Sequence, residues 1–379
     1  MEIDKALPNT KRTTIDLPSK DDLEEVVVQE LNKEQQASEE VEVIETEEGG
    51  AEISFDPSKA MAEGSENHFA NLAEYLEDDV LGPLGNELKD MFLDYKSSRK
   101  DWEQSYTQGL DLLGFKYEER GEPFQGASGA THPVLAEAVT QFQSLAYKEL
   151  LPASGPVRTQ IIGAPSTAKE QQSERVKEFM NYQLMSEMKE YEQEFDQMLF
   201  YLPLSGSTFK KVYYDELLGR AVSKFVPADD LLVPYSATSL EDADSIIHKI
   251  NISENDLRKQ QVGGFYRDIE VSESSNEDDD IAAKERELEG IRKSEKSDMY
   301  TLLECHVDLD LEGFEDSNPE TGEATEIKLP YIVTIEEGSR EVLSIRRNYE
   351  AQDPKKKRIN YFTHFKFLPG LGFYGFGLI

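Results

Sequence analysis

Apolar and polar positions alternate most clearly between Phe200 and Ala237, FYLPLSGSTFKKVYYDELLGRAVSKFVPADDLLVPYSA. Thr208 to Tyr214 alternates and is aromatic, which predicts a strand. Asp215 to Gly219 reads as a turn whose glycine absorbs a positive φ, and Ala221 to Val226 reads as the returning strand. Pro227-Ala228-Asp229-Asp230 follows, then Leu231 to Val233, closed by Pro234. Proline cannot donate to a ladder, so two of them this close place the segment at a sheet edge or corner. The rest of the chain is organised around this stretch.

Upstream the period changes to that of helices. Phe69, Leu72, Ala73 and Leu76 share one helical face, and Leu81, Leu84 and Leu88 resume after an expected break at Gly82-Pro83. Trp102 and Tyr106 are expected to anchor this region to the core. Pro133 suits the first turn of a helix, with Glu137 near its positive end. Leu135, Ala138, Val139, Phe142, Leu145 and Ala146 form its apolar stripe, and Pro152 ends it. Thr167 and Glu170 have the spacing of a capping box. They predict one long helix from Ala168 to Phe200, in which Val176, Met180, Leu184, Met188, Tyr191, Phe195 and Met198 recur every three or four residues. The methionines read as packing rather than ligands.

Downstream, Ser245 to Ile252 predicts a strand and Glu254 to Gln261 a short helix. Ile281 to Lys293 predicts an exposed helix with Glu–Lys pairs. Tyr300 to Leu311, Ile327 to Glu336 and Glu341 to Tyr349 predict three further strands, with a turn at Asn318 to Gly322. The fold class is therefore α+β. A helical region, 66–200, is followed by a β-rich region, 201–379, that holds an acidic loop at 270–280.

Composition changes the picture at the N-terminus. Met1 to Glu52 holds sixteen Asp and Glu, five Lys and Arg, and no aromatic residue. Such a segment cannot bury enough apolar surface to offset its ordering entropy, so residues 1–65 are expected to be a disordered acidic arm. The whole chain of 379 residues carries a formal charge of −37. That argues against a general phosphate-binding surface and against an anionic membrane. No apolar run approaches the length of a membrane span, and no leader-like apolar segment opens the chain. The one cysteine, Cys305, allows neither an intrachain disulfide nor a cysteine zinc cage.

Candidate chemistry is thin, and the sequence supports no catalytic, cofactor-binding or metal-binding residue. The loop Gly121 to Gly129 lacks the Lys-Ser/Thr ending of a phosphate loop and reads as a connector. His68, His132, His248, His306 and His364 show no i, i+4 pair. Asp215, Glu216, Asp229 and Asp230 are the one carboxylate set that could in principle hold Mg²⁺, but carboxylates beside turns and prolines are usually solvated or capping. Cys305 and His306 are adjacent on a strand and point to opposite faces. Lys355 to Arg358, the only basic cluster, reads as a surface turn.

Three long runs carry a family likeness. Phe225 to Thr238, continued by Asp242 to Asp244 and Ile246 to Lys249, resembles portal proteins of tailed bacteriophages, most closely those of short-tailed phages. Thr131 to Gln143 with Lys148 to Val157 is a second matching run, and Phe365 to Gly377 a third. The likeness spans roughly Asn67 to Ile379. It implies a ring-forming structural subunit, a homododecamer at one capsid vertex, through which double-stranded DNA passes without sequence specificity. Its implied partners are copies of itself, the major capsid and scaffolding proteins, the terminase large subunit and a tail adaptor, with no cofactor, no membrane and no catalysis. An acidic surface suits a tunnel that must not hold phosphates. Portal chains of this kind continue beyond an end such as Phe373 to Ile379, so a C-terminally truncated chain is expected. The alternatives are another head–tail structural or adaptor protein and a metal-dependent nucleic-acid enzyme.

Overall fold

The computed structural model describes residues 68–113, 132–215, 218–271, 280–291, 299–317 and 325–379, with Phe124 and short backbone pieces at 44–45 and 51–52. Contacts divide the chain into two units, 1–64 and 65–379. In the first, Ile44–Glu45 pairs antiparallel with Ala51–Glu52. The rest of the expected acidic arm, the Gly121 to Gly129 loop apart from Phe124, the Asn318 to Gly322 turn and most of the 270–280 loop lie outside the described residues.

The second unit is α+β, with seven α-helices and eight strands among the described residues. Helix α1 is Asp78–Ser98, α2 Lys100–Leu110, α3 Val134–Leu150, α4 Thr167–Tyr182, α5 Tyr191–Ser205, α6 Glu254–Val262 and α7 Asp280–Glu289. Strand β1 is Ser207–Asp215, β2 Arg220–Pro227, β3 Leu231–Leu232, β4 Ile246–Ser253, β5 Met299–Leu309, β6 Leu329–Glu336, β7 Val342–Arg347 and β8 Phe362–Lys366. They form two antiparallel sheets, ordered β8-β1-β2 and β3-β4-β5-β6-β7. The proline-bounded Leu231–Leu232 is an edge strand, as two flanking prolines require.

Several helical expectations need correction. The turn around Leu72 is a single 3₁₀ turn, Leu72–Glu74, because Asn71, whose Oδ1 caps it by accepting from Ala73 N at 3.1 Å, is also tied to a distant strand. The buried Asn71 amide donates to Leu343 O at 3.1 Å and accepts from Ile345 N at 2.9 Å, fastening the chain to β7. Helix α1 runs through Gly82-Pro83 without a break. Pro83 lies early and exposed, so the one carbonyl it leaves unpaired faces water, while Leu81, Leu84, Leu88 and Phe92 still form one buried stripe. Pro133 is the N-cap of α3 rather than a first-turn residue, and Leu145 of the expected stripe is exposed. Ser166, not Thr167, caps α4, its Oγ accepting from Lys169 N.

The long helix expected from Ala168 to Phe200 is two helices. After Tyr182 the chain widens into an i→i+5 turn, Gln183–Glu187, closed by Met188 N donating to Gln183 O at 2.9 Å. Met188 then leaves helical geometry at φ −83°, ψ 78° and buries its side chain, and α5 starts afresh at Tyr191. Arg220 pins the junction by pairing with Glu190 at 2.8 Å. A three-to-four period of apolar residues survives such a change of direction, which is why the sequence pattern does not reveal it.

The end of α5 fixes the close of the chain. Gly206 caps it with φ +78°. Gly375 and Gly377 lie directly against it, Gly375 N donates to Ser207 Oγ at 2.8 Å, and Leu378 N donates to Pro203 O at 2.7 Å. Phe373 is buried and Tyr374 half-buried, so the closing apolar run is docked over part of its length, while Phe376, Leu378 and Ile379 remain exposed. A methyl at position 206 would strike Gly375 O and Gly377 N as well as meet a left-handed backbone. Gly206→Ala is expected to lower the urea midpoint, with backbone strain alone costing about 1–3 kcal/mol. Gly163, at φ +93° with open space around it, serves as control. The Gly163→Ala protein should lose less; equal losses would show that the glycine contacts at 206 contribute nothing.

Candidate functional site

The proline-bounded segment is held from one side by a single guanidinium. Arg99 sits at the joint between α1 and α2 and is buried. Its Nη1 donates to Ala228 O at 2.8 Å, Leu231 O at 3.1 Å and Tyr374 Oη at 3.3 Å; its Nη2 donates to Asp229 O. Nε pairs with Glu103 one turn along α2 at 2.8 Å. A planar fork of fixed donors matches converging carbonyls in a way that a lysine ammonium cannot. Beside it Trp102 stacks between Tyr106 and Tyr374, each ring 5.5 Å away, which bears out the expected anchoring role of Trp102 and Tyr106.

The two sheets are joined by a buried ionic cluster. Lys211 of β1 places Nζ 2.6 Å from both carboxylate oxygens of Glu304 on β5. His306 Nε2 lies 2.9 Å from Glu304 Oε1, and Asn348 Nδ2 lies 3.4 Å from His306 Nδ1. Since Glu304 only accepts, Nε2 carries the hydrogen and Nδ1 accepts. His248, the direct cross-strand partner of Glu304, approaches only to 3.9 Å, beyond hydrogen-bond reach. Burial opposes the charge on Glu304, yet Lys211 and the hydrogen bond from His306 hold its carboxyl well below the usual range. Burial lowers His306 and takes His248 down to about 4, so both are neutral at pH 7. Burial also pushes the Cys305 thiol up, which makes it inert rather than nucleophilic.

The sequence candidates disperse. Asp215 Oδ1 caps the hairpin turn by accepting from Leu218 N at 3.1 Å, and Glu216 lies outside the described residues. Asp229 and Asp230 are half-buried rather than fully solvated, and Asp230 pairs with Lys249 at 3.2 Å. Burial and the neighbouring Asp229 raise the Asp230 carboxyl against the pull of Lys249. No group of three or more His, Cys, Asp or Glu among the described residues is placed to hold a metal ion. Cys305 and His306 are both buried on their opposite faces. In the basic run Lys355 and Lys357 are exposed, Lys356 pairs with Asp316, and Arg358 turns inward to donate to Leu240 O at 3.2 Å and Ala243 O at 2.8 Å. No helix among the described residues is long and apolar enough to cross a membrane.

Sequence reasoning missed three buried charges. Arg99 and Glu304 gave no motif; the apolar neighbours of Glu304 on its strand hinted at burial, whereas Arg99 lies in the polar run Lys96 to Asp101 and gave no such hint. Lys210 is 5% exposed, has no hydrogen-bond partner for Nζ, and sits 4.1 Å over the Tyr191 ring. Burial lowers its pKa to about 8.

Glu285 of α7 offers a titration test. Burial first, then Asp229, raises its carboxyl to about 7. A carboxyl whose folded pKa is raised makes the folded state hold its proton more tightly, so its ionisation costs stability as pH rises through about 7. Glu285→Gln is therefore expected to be more stable than the unsubstituted chain at pH 8 and to show no such gain at pH 5. Urea titrations at the two pH values check this, and a gain of the same size at both would refute it.

A scan against protein-family models and a search of curated proteins return no match for this chain.

Proposed function

We propose that the chain is the ring-forming portal subunit of a short-tailed bacteriophage: a structural conduit for double-stranded DNA at one capsid vertex. It would dock the terminase large subunit and the tail adaptor, meet capsid and scaffolding proteins during assembly, and perform no catalysis itself. The observation that carries the reading is where the three portal-like runs go. Phe142 of one, Leu151 of its continuation, Phe225 of another and Phe365 of the third pack with Phe195 and Leu199 in a single apolar cluster. Phe142 and Phe367 meet edge to face at 5.2 Å. Likeness spread over distant stretches thus falls on one body rather than on unrelated surface pieces. The formal charge of −37 fits a conduit that leaves DNA free to slide.

Electron microscopy of the protein expressed from its complete gene tests the reading. The expected image is a closed ring with a channel wide enough for duplex DNA; a monomer, or a short helical assembly, overturns the portal assignment. The absence of catalysis is tested separately. Magnesium-dependent DNA cleavage abolished by Asp229→Ala or Asp230→Ala would favour a metal-dependent enzyme instead.

A further inference from the structure

Helix α4 is held by bonds that stay close to it. Asn181 accepts from Val157 N at 2.9 Å and donates to Val157 O at 3.2 Å, and Ser173 Oγ bonds Thr159 Oγ1 at 2.8 Å. Among the described residues no hydrogen bond or ion pair of an α4 side chain reaches beyond residues 154–182. No residue of α4 is buried, and Val176, Phe179 and Met180 stay open. The first turn of α5 is the opposite case. Glu190 pairs with Arg220 at 2.8 Å, Glu194 accepts from Phe225 N at 2.7 Å, and Lys210 Nζ lies 4.1 Å over the Tyr191 ring. A loosely held helix thus meets a fixed one across Gln183 to Met188.

The joint is bent by the fold and not by a breaker in the sequence. No glycine or proline stands between Thr167 and Leu202, and Gln183 to Glu190 are residues that helices accept. The apolar period runs on through Met180, Leu184, Met188 and Tyr191. Glu190 already has helical dihedrals, φ −79° and ψ −20°, whereas Met188 departs from them with ψ 78°. The wide turn before it closes with an i→i+5 bond, a form found mostly as single turns at functional positions. Helical dihedrals at the joint would run Thr167 to Ser205 as one helix. The connection from α3 permits this. In such a helix Thr167 lies about 42 Å from Phe195, at roughly 1.5 Å per residue. Leu151 packs beside Phe195, and the chain from Leu151 to Thr167 reaches about 53 Å when extended. What opposes straightening is the Met188 side chain, which is buried in the bent form.

We propose that Gln183 to Met188 is a hinge: α4 swings between the bent arrangement and a straight form in which Thr167 to Ser205 is a single helix, with the buried Met188 side chain as the catch. The inference does not depend on the ring-subunit reading. Spin labels on Gln171→Cys and Gln193→Cys test it in the full chain, both positions being exposed and Cys305 too buried to take a label. Dilution into unlabelled protein confines the reading to distances within one chain. One continuous helix puts the labelled positions about 33 Å apart. The turn at Met188 is expected to make the main distance of the otherwise unsubstituted protein shorter. Met188→Ala and Met188→Gly remove nearly the same buried contacts, but alanine favours a helix and glycine opposes one. A new population at the single-helix distance in Met188→Ala, absent from Met188→Gly, supports the hinge. An unchanged distribution in Met188→Ala, or equal broadening in both variants, overturns it, as does the single-helix distance as the main one in the otherwise unsubstituted protein. If circular dichroism shows Met188→Ala unfolded, Ser186→Ala carries the test. Ser186 is exposed in the wide turn, and the substitution raises helix propensity without touching the methionine. The same population is then expected at a smaller fraction, and its absence overturns the hinge.

Discussion

Glu304→Gln is expected to cost about 3–5 kcal/mol, the usual consequence of removing one partner from a buried ion pair. The substitution keeps the shape and leaves an acceptor for His306, but it removes the charge that both 2.6 Å contacts to Lys211 depend on. Lys211 and Glu304 keep only 13% and 14% of their side-chain exposure, so water cannot stand in for the lost carboxylate. Chemical denaturation at pH 7 measures the loss. A loss under about 1 kcal/mol would mean that the pair behaves as an exposed one. Replacing both partners, Lys211→Met with Glu304→Gln, should recover part of the loss, because no ammonium is left buried and unpaired and the amide oxygen still accepts from His306. The sign with pH follows from the lowered carboxyl. Its contribution is fully present above the unfolded value, near 4.3, and is lost as pH falls through the lower folded value. His248 acts over a higher window. Its folded value of about 4 lies below the unfolded value near 6.5, so stability drains as pH falls between the two.

Arg99→Lys is expected to cost about 2–4 kcal/mol despite conserving charge. An ammonium has three donors and no fixed plane, whereas the guanidinium serves three carbonyls, a carboxylate and a phenol. At least two buried acceptors lose their partner, at roughly 1–3 kcal/mol each. The loss is local and has a built-in reporter. Trp102 is the only tryptophan, and it stacks on Tyr374, whose hydroxyl bonds both Arg99 and Leu231 O. The variant should show red-shifted, more quenchable tryptophan emission in the folded state, together with the lower urea midpoint. Native-like emission with full stability would show that the clamp on the proline-bounded segment is dispensable.

The elements whose cause is local were legible in the sequence. The β1–β2 hairpin follows from alternation and a turn. The edge position of Leu231–Leu232 follows from prolines that cannot donate, and α6 and the strands β4 to β7 follow from period and flanking breakers. The α+β class follows from the change of period near residue 200. Misreadings arose where a local signal had two structural outcomes. Gly82-Pro83 breaks a buried helix but is tolerated on an exposed early turn, and an apolar period of three to four continues across the i→i+5 turn after Tyr182. Strand β8 was not anticipated, because Phe362 to Lys366 becomes a strand by pairing with β1, its partner roughly 150 residues earlier in the chain.

The candidate site lies almost wholly on the other side of that divide. The sequence by itself determined the acidic balance, the absence of nucleotide and zinc motifs, and the segment that the fold would be built around. Only the tertiary structure decided that Arg99 closes on that segment, that Lys211 and Glu304 join the two sheets, and that the Val176–Phe179–Met180 stripe stays open. The reason is physical. Period and propensity act over a few residues, whereas these charges are separated by about a hundred residues, and their protonation, pairing and burial are set by neighbours that only the folded chain brings within reach.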